Sequence, residues 1–237
     1  TDSIDSPTFS GRLQRAAKGK LADYSAWQSE IHLPKAALPL ISQRDPKEIM
    51  FFIRMLYSCL TDADFLDTAE FMDGRKTEPC ADSTETLAEK LDHFCESWFP
   101  PKTPLNQQRC AILRKCQQQG DLLKPGLFSL TVPTGGGKTV SSMAFALHHA
   151  KAHGLKRIVY VVPYTSIIEQ NADVFRKILG DANVLEHHSG VLYDVGEEAT
   201  PESVRMAKAA ENWDIPIVVT TAVQFFESLF SNRPSQC

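Results

Sequence analysis

Val132-Pro133-Thr134-Gly135-Gly136-Gly137-Lys138-Thr139 decides the reading of this chain. The stretch follows a short apolar segment, 127–131, that reads as a strand, and it opens an apolar helical run over 140–149. Strand, glycine turn, Lys-Thr and helix form the setting of a phosphate-binding loop. Gly135, Gly136 and Gly137 can take positive φ and leave room for backbone N–H groups around a phosphate. The start of the next helix adds unpaired N–H groups and partial positive charge. Lys138 can reach β- and γ-phosphates, and the Thr139 hydroxyl can ligate Mg²⁺. Val132 occupies the slot where the general pattern has its first glycine. A chance glycine-rich turn would need neither the strand before it nor the helix after it, so the stretch points to nucleoside triphosphate binding.

Composition fits a soluble, cytoplasmic protein. The 237 residues allow one large domain or two small ones, and the shares of apolar (43%) and charged (23%) residues are those of ordinary globular chains. No apolar run has membrane-spanning length, and the first residues lack a signal-peptide core, so no membrane partner is expected. Cys59, Cys80, Cys95, Cys110, Cys116 and Cys237 form no C-x-x-C pair, which favours reduced thiols over zinc or disulfides. A net charge of −4 supplies no global attraction for nucleic acid, so any such contact must be local.

The chain divides near residue 100. Upstream it reads as helical, with amphipathic patterns over 46–71 and 84–99, a plausible N-cap at Ser83 or Thr84, and a loop over 73–79. The proline-rich stretch 99–104 reads as a stiff connector. Downstream, strands alternate with helices: strand 157–162 then helix 165–179, strand 183–186 then helix 201–212, strand 215–220 then helix 223–230. This alternation implies a parallel sheet covered on both faces, with ligands at the C-terminal strand ends.

In the helical half, Ile53, Leu56, Tyr57 and Leu60 make one apolar stripe, and four further residues reach Asp64. That spacing predicts an inward-facing carboxylate, which needs a cation, a hydrogen-bond network or a metal. Asp62 and Asp67 crowd the same turn, so Arg54 could neutralise it only in part.

Resemblance to known proteins sharpens these readings. The segment Ser58 to Thr68, with Asp62-Ala63-Asp64 at its centre, resembles the last motif of HD-type metal-dependent phosphohydrolases. Joined to the glycine loop, it is similar to the helicase-nuclease of type I CRISPR-Cas interference, a superfamily 2 motor. Three further segments carry the likeness: Leu105-Asn106-Gln107-Gln108-Arg109, the run from Tyr160 to Asn171, and the run from Val218 to Pro234. Helicase motors of this kind tolerate Ala or Val where Val132 stands.

The resemblance implies the end of an all-helical HD domain over 1–98, the connector 99–104, and the first part of a RecA-like domain over 105–237. It implies ATP and Mg²⁺ at Thr134, Gly135, Gly136, Gly137, Lys138 and Thr139, with Gln107 or Gln108 reading adenine. It makes Asp64 a ligand of a divalent transition metal. Pro163, Tyr164, Thr165, Thr220 and Thr221 would hold single-stranded DNA by its phosphates. The parent protein would unwind DNA with ATP, cut single strands, and act with an RNA-guided surveillance complex in antiviral defence.

Several family features are not found in the sequence. There is no His-Asp dipeptide, and His32 is the one histidine before Asp64. The pairs His148-His149 and His187-His188 lie in the motor half and read as packed or solvated. After Lys138 no apolar strand ends in an acidic pair; Glu186 and Glu227 follow the wrong kinds of segment. The resemblance puts that box shortly after Asn232-Arg233-Pro234, so the chain is expected to be an internal piece of a longer protein, without turnover of its own. Two other readings stay open: a motor subunit of a restriction or repair complex, and a non-catalytic nucleotide- and DNA-binding module.

Overall fold

The computed structural model describes residues 8–18, 25, 29, 45–73, 81–191, 193, 194, 196 and 200–230. The expected loop 73–79 falls almost wholly outside them, as do His32, Cys80 and Cys237. The chain divides into two units, residues 1–52 and 53–237. Described elements of the first are helix α1 (Phe9–Lys18) and the start of α2 (Pro46–Asp73). The remaining elements are α3 (Thr84–Glu96), α4 (Pro104–Leu122), α5 (Lys138–His153), β1 (Ile158–Val162), α6 (Thr165–Leu179), β2 (Val184–His187), α7 (Pro201–Asn212), β3 (Ile217–Thr221) and α8 (Ala222–Phe230). Among the described residues no helix is long and apolar enough to cross a membrane.

The three strands form a parallel sheet in the order β1-β3-β2. The chain steps from β1 past the place of β3 to β2, then back to β3. Right-handed crossovers in opposite directions put their helices on opposite faces, and the side chains sort accordingly. Ile217 and Val219 join Ile168, Ala172, Phe175 and Leu179 of α6 in one core, while Val218 joins Met206 and Ala209 of α7 in the other. The alternation within β3 is the period-two pattern of a strand buried on both sides. The expected helical half followed by a RecA-like parallel-sheet part is thus observed as a helix-rich fold around a small parallel sheet.

Two expectations are corrected. Residues 127–131 form no strand: Leu127, Phe128 and Leu130 are exposed, and the segment pairs with no described strand. A strand requires a neighbour for its N–H and C=O groups, and apolar sequence alone cannot supply one. The stripe Ile53, Leu56, Tyr57 and Leu60 is also exposed, and Asp64 with it. Helical phase fixes which residues share a face but not whether another element covers it. Among the described residues, one link from this helix to the rest of the chain is Arg54, whose Nη2 donates to Leu229 O at 3.5 Å.

Helix α3 lies upstream of the connector, yet Leu87, Ala88, Leu91 and Cys95 sit in the same core as Met143, Ala144 and Leu147 of α5. Burial first, and then the neighbouring Asp92 and Cys110, push the Cys95 thiol up to about 12, so it packs as a neutral apolar group. Polar contacts reinforce the packing. His148 Nε2 meets Asp92 Oδ1 at 3.1 Å and its Nδ1 meets Asp121 Oδ1 at 3.0 Å, joining α3, α4 and α5. Thr84 Oγ1 donates to Leu155 O at 2.8 Å, and Asn183 Nδ2 donates to Asp82 Oδ2 at 2.7 Å. The hydrogen bond from Lys90 holds the Asp82 carboxyl below the usual carboxylate range.

Candidate nucleotide-binding site

The glycine loop lies between α4 and α5, and its backbone is built around two left-handed residues. Gly135 and Gly137 both have φ +81°, and Gly137 is the N-cap of α5 with no side-chain capping bond. Among the described residues no side chain bonds the first-turn N–H groups of α5, which leaves them for an anion. A Cβ on Gly136 would lie 2.3 Å from Val132 Cγ1, so a side chain there would displace the loop from Val132. Val132 thus packs under the turn at the position where the general motif has glycine. Lys138 stands exposed at the helix start, and among the described residues no carboxylate bridges it. The glycine cradle, helix N-terminus and free ammonium fit a triphosphate.

Thr139 is half-buried, and its Oγ1 donates to Asn171 Oδ1 of α6 at 3.3 Å. Ser142 Oγ donates to Thr139 O at 3.1 Å and lies 3.2 Å from Tyr160 OH of β1. These bonds tie the loop helix to the sheet and fix the hydroxyl that would face Mg²⁺. Sequence reasoning missed Asn171, although it closes the run from Tyr160 that carries the resemblance. Its partner arises from tertiary packing, which periodicity does not encode.

Helix α4 borders the loop on the other side. Thr103 caps it, accepting from Asn106 N at 3.2 Å, and Pro104 takes its first turn. That start sets the phase of the two glutamines. Consecutive helical residues point about 100° apart, so the pair cannot face one ligand together. Gln108 lines a cleft of about 350 Å³ with Arg109, Pro133, Thr134 and Gly136. Gln107 lines a separate cleft with Phe99, Pro100 and Arg114. Arg109, also missed in the sequence, donates from Nε to Gly135 O at 2.7 Å.

The expected DNA contacts gather at the C-terminal strand ends, where Val162 pairs with Thr221 in register. Pro163 and Tyr164 are exposed, Tyr164 at 67%. Thr165 opens α6 with its side chain outside the description. Thr220, unlike Pro163 and Tyr164, is fully buried, and its Oγ1 donates to His187 O at 2.7 Å. The Thr221 hydroxyl caps α8, accepting from Gln224 N at 3.0 Å.

Behind this edge lies a closed polar network. The buried Glu186 accepts from Arg176 Nη2 at 2.9 Å and pairs with His188 Nε2 at 3.0 Å. Gly190 N donates to His188 Nδ1, so His188 carries its proton on Nε2. Trp213 Nε1 donates to His187 Nδ1 at 2.9 Å. Burial, and then His188, hold His187 below the ordinary histidine range, as an acceptor requires. Both histidine pairs are therefore structural, with His148 and His149 also buried. Among the described residues no group of His, Cys, Asp and Glu could hold a metal ion, around Asp64 or elsewhere. Cys59 is exposed and Cys95, Cys110 and Cys116 are buried, all as free thiols.

Parallel strands covered on both faces, with a glycine loop feeding a helix, make the arrangement of a P-loop nucleotide-binding domain. The chain belongs to the family described as type III restriction enzyme, res subunit, which residues 102–236 match. It is also similar to the CRISPR-associated nuclease/helicase Cas3 of Haloferax volcanii, with 36% identity over 138 residues. That alignment covers 48% of this chain and 14% of the Haloferax protein, so the chain spans a small part of this curated relative. The resemblance to CRISPR helicase-nucleases holds, and membership of a helicase-type family implies ATP with Mg²⁺.

Proposed function

We propose that this chain is the nucleotide-binding part of an ATP-driven single-stranded DNA motor that acts, in its parent protein, in CRISPR interference against foreign DNA in the cytoplasm. The carrying observation is the open glycine cradle, with Lys138 exposed and bridged by no described carboxylate, and Thr139 fixed on Asn171. In this reading residues 105–237 are motor, Lys138 holds the β- and γ-phosphates, and Thr139 offers its hydroxyl to Mg²⁺. Gln108, on the loop side of α4, reads adenine. Single-stranded DNA runs over Pro163, Tyr164, Thr165 and Thr221, while Thr220 braces β3 against β2 from beneath. The parent works with an RNA-guided surveillance complex. A motor of a restriction complex is the second reading, favoured by the description of the matched family.

Alone, the chain acts as a binding module, because phosphoryl transfer also needs groups that position water and Mg²⁺. An oligothymidine should bind, with affinity falling as salt rises at a log–log slope of about −0.7 per phosphate contacted, while ATP turnover stays at background. Salt-independent DNA binding, or brisk DNA-stimulated hydrolysis by residues 1–237, would refute this division of labour.

The helical residues up to the connector are proposed to derive from an HD-type nuclease domain, with Asp64 as one metal ligand. This rests on the Asp62-Ala63-Asp64 resemblance. The described residues do not by themselves make the metal centre, and no cleavage step is derived from them. In the parent protein, Asp64→Ala should abolish metal-dependent nicking of single-stranded DNA and leave ATPase activity nearly intact. Nicking that survives the substitution would remove Asp64 from the site.

A further inference from the structure

We propose that Arg109 is a positioning residue of the triphosphate site, which locks the peptide between Gly135 and Gly136 and so keeps the loop open to its ligand. The proposal rests on the nucleotide-site reading above. That peptide is held at both ends. Its carbonyl oxygen accepts from Arg109 Nε at 2.7 Å, and its N–H, on Gly136, donates to Pro133 O at 3.0 Å. Nothing else in the local chain would hold it still. Gly135, which precedes it, and Gly137, one residue beyond it, both sit at φ +81°. A peptide flanked by glycines rotates as a unit at little steric cost.

Rotation would turn a carbonyl oxygen towards the place of the phosphates, replacing attraction by repulsion. Rotation would also break the Gly136 N–H bond to Pro133 O, but that bond comes from within the same turn. Arg109 reaches in from α4, a helix anchored by its own N-cap, and so supplies a fixed external point. The donor is a guanidinium, which makes the bond one of the stronger kind. One further contact aims it: Nη1 donates to Asn106 Oδ1 at 3.4 Å. Arg109 follows Gln108 directly, so the helix that would read the base also sets the phosphate cradle.

Calorimetric titration of the full 237-residue chain with Mg·ATP, and separately with inorganic triphosphate, tests the assignment. Arg109→Ala should weaken both probes by about tenfold or more, the worth of one charge-assisted hydrogen bond. The unliganded chain should still melt cooperatively, with at most a small fall in midpoint from the lost internal bond. Millimolar guanidinium ion should restore affinity to Arg109→Ala and not to Lys138→Ala, because it can refill the donor's place. Arg109→Lys, which keeps the charge without the Nε donor, should fall with Arg109→Ala. Wild-type affinity in either Arg109 variant overturns the proposal. So does a loss confined to ATP, or a loss without guanidinium rescue. A wild-type chain that binds neither probe would instead overturn the nucleotide-site reading on which it rests.

Discussion

Lys138→Ala is expected to weaken ATP binding to this chain about 100-fold or more. A lysine ammonium bridging two phosphate groups makes charge-assisted hydrogen bonds of about 1.5–3 kcal/mol each, and 1.4 kcal/mol is a factor of ten. The substitution should leave the fold alone. Lys138 is exposed at the first position of α5, no described carboxylate bridges it, and alanine is a good helix former. Calorimetry on both proteins, with equal thermal unfolding as the control, gives the answer. Equal ATP affinity would show that the glycine loop is a structural turn.

The other large effect is on stability. Glu186→Ala should cost about 3 kcal/mol in denaturant unfolding, seen as a lower midpoint at unchanged slope. The Glu186 side chain is 8% exposed and that of its partner His188 5%. Removing the carboxylate strands the His188 Nε2 proton in the interior and takes one of two acceptors from Arg176. Stranding a buried neutral donor costs about 1–3 kcal/mol, and the lost hydrogen bond between charged groups about 1.5–3 kcal/mol more. The lower end applies because Arg176 keeps Asp173 at 3.4 Å and is a quarter exposed. A loss under about 1 kcal/mol, the level of a surface ion pair, would mean that water reaches the site.

The motor half was legible because its signals are local. Helices α6 and α7 occupy the spans their periodicity predicted, with Pro201 and Thr200 setting the start of α7 as a cap and first-turn pair. The glycine loop was legible for the same reason, since positive φ and a following helix are properties of a few neighbouring residues. What could not be read depends on partners distant in sequence. Residues 127–131 have strand composition without a strand beside them, and Asp64 lies on an apolar stripe with nothing described over it. Arg109 and Asn171 act through bonds across 26 and 32 positions. Thr220 looked like a surface hydroxyl at a strand end, but strand order puts β3 in the middle of the sheet, where both neighbours bury it.

The placement of α3 bears on how such proteins can be assembled from parts. The prolines at 100, 101 and 104 mark a seam in composition, the natural place to look for a gene-fusion joint. The packing runs across that seam. Leu87, Leu91 and Cys95 fill the motor's own interior, and Asp92 shares His148 with Asp121. A motor inherited without α3 would carry an open apolar wound along α5 and α6. Recombination that exchanges the upstream part would have to cut before residue 84 to yield a viable offspring, so the unit of inheritance is longer than the unit of sequence style.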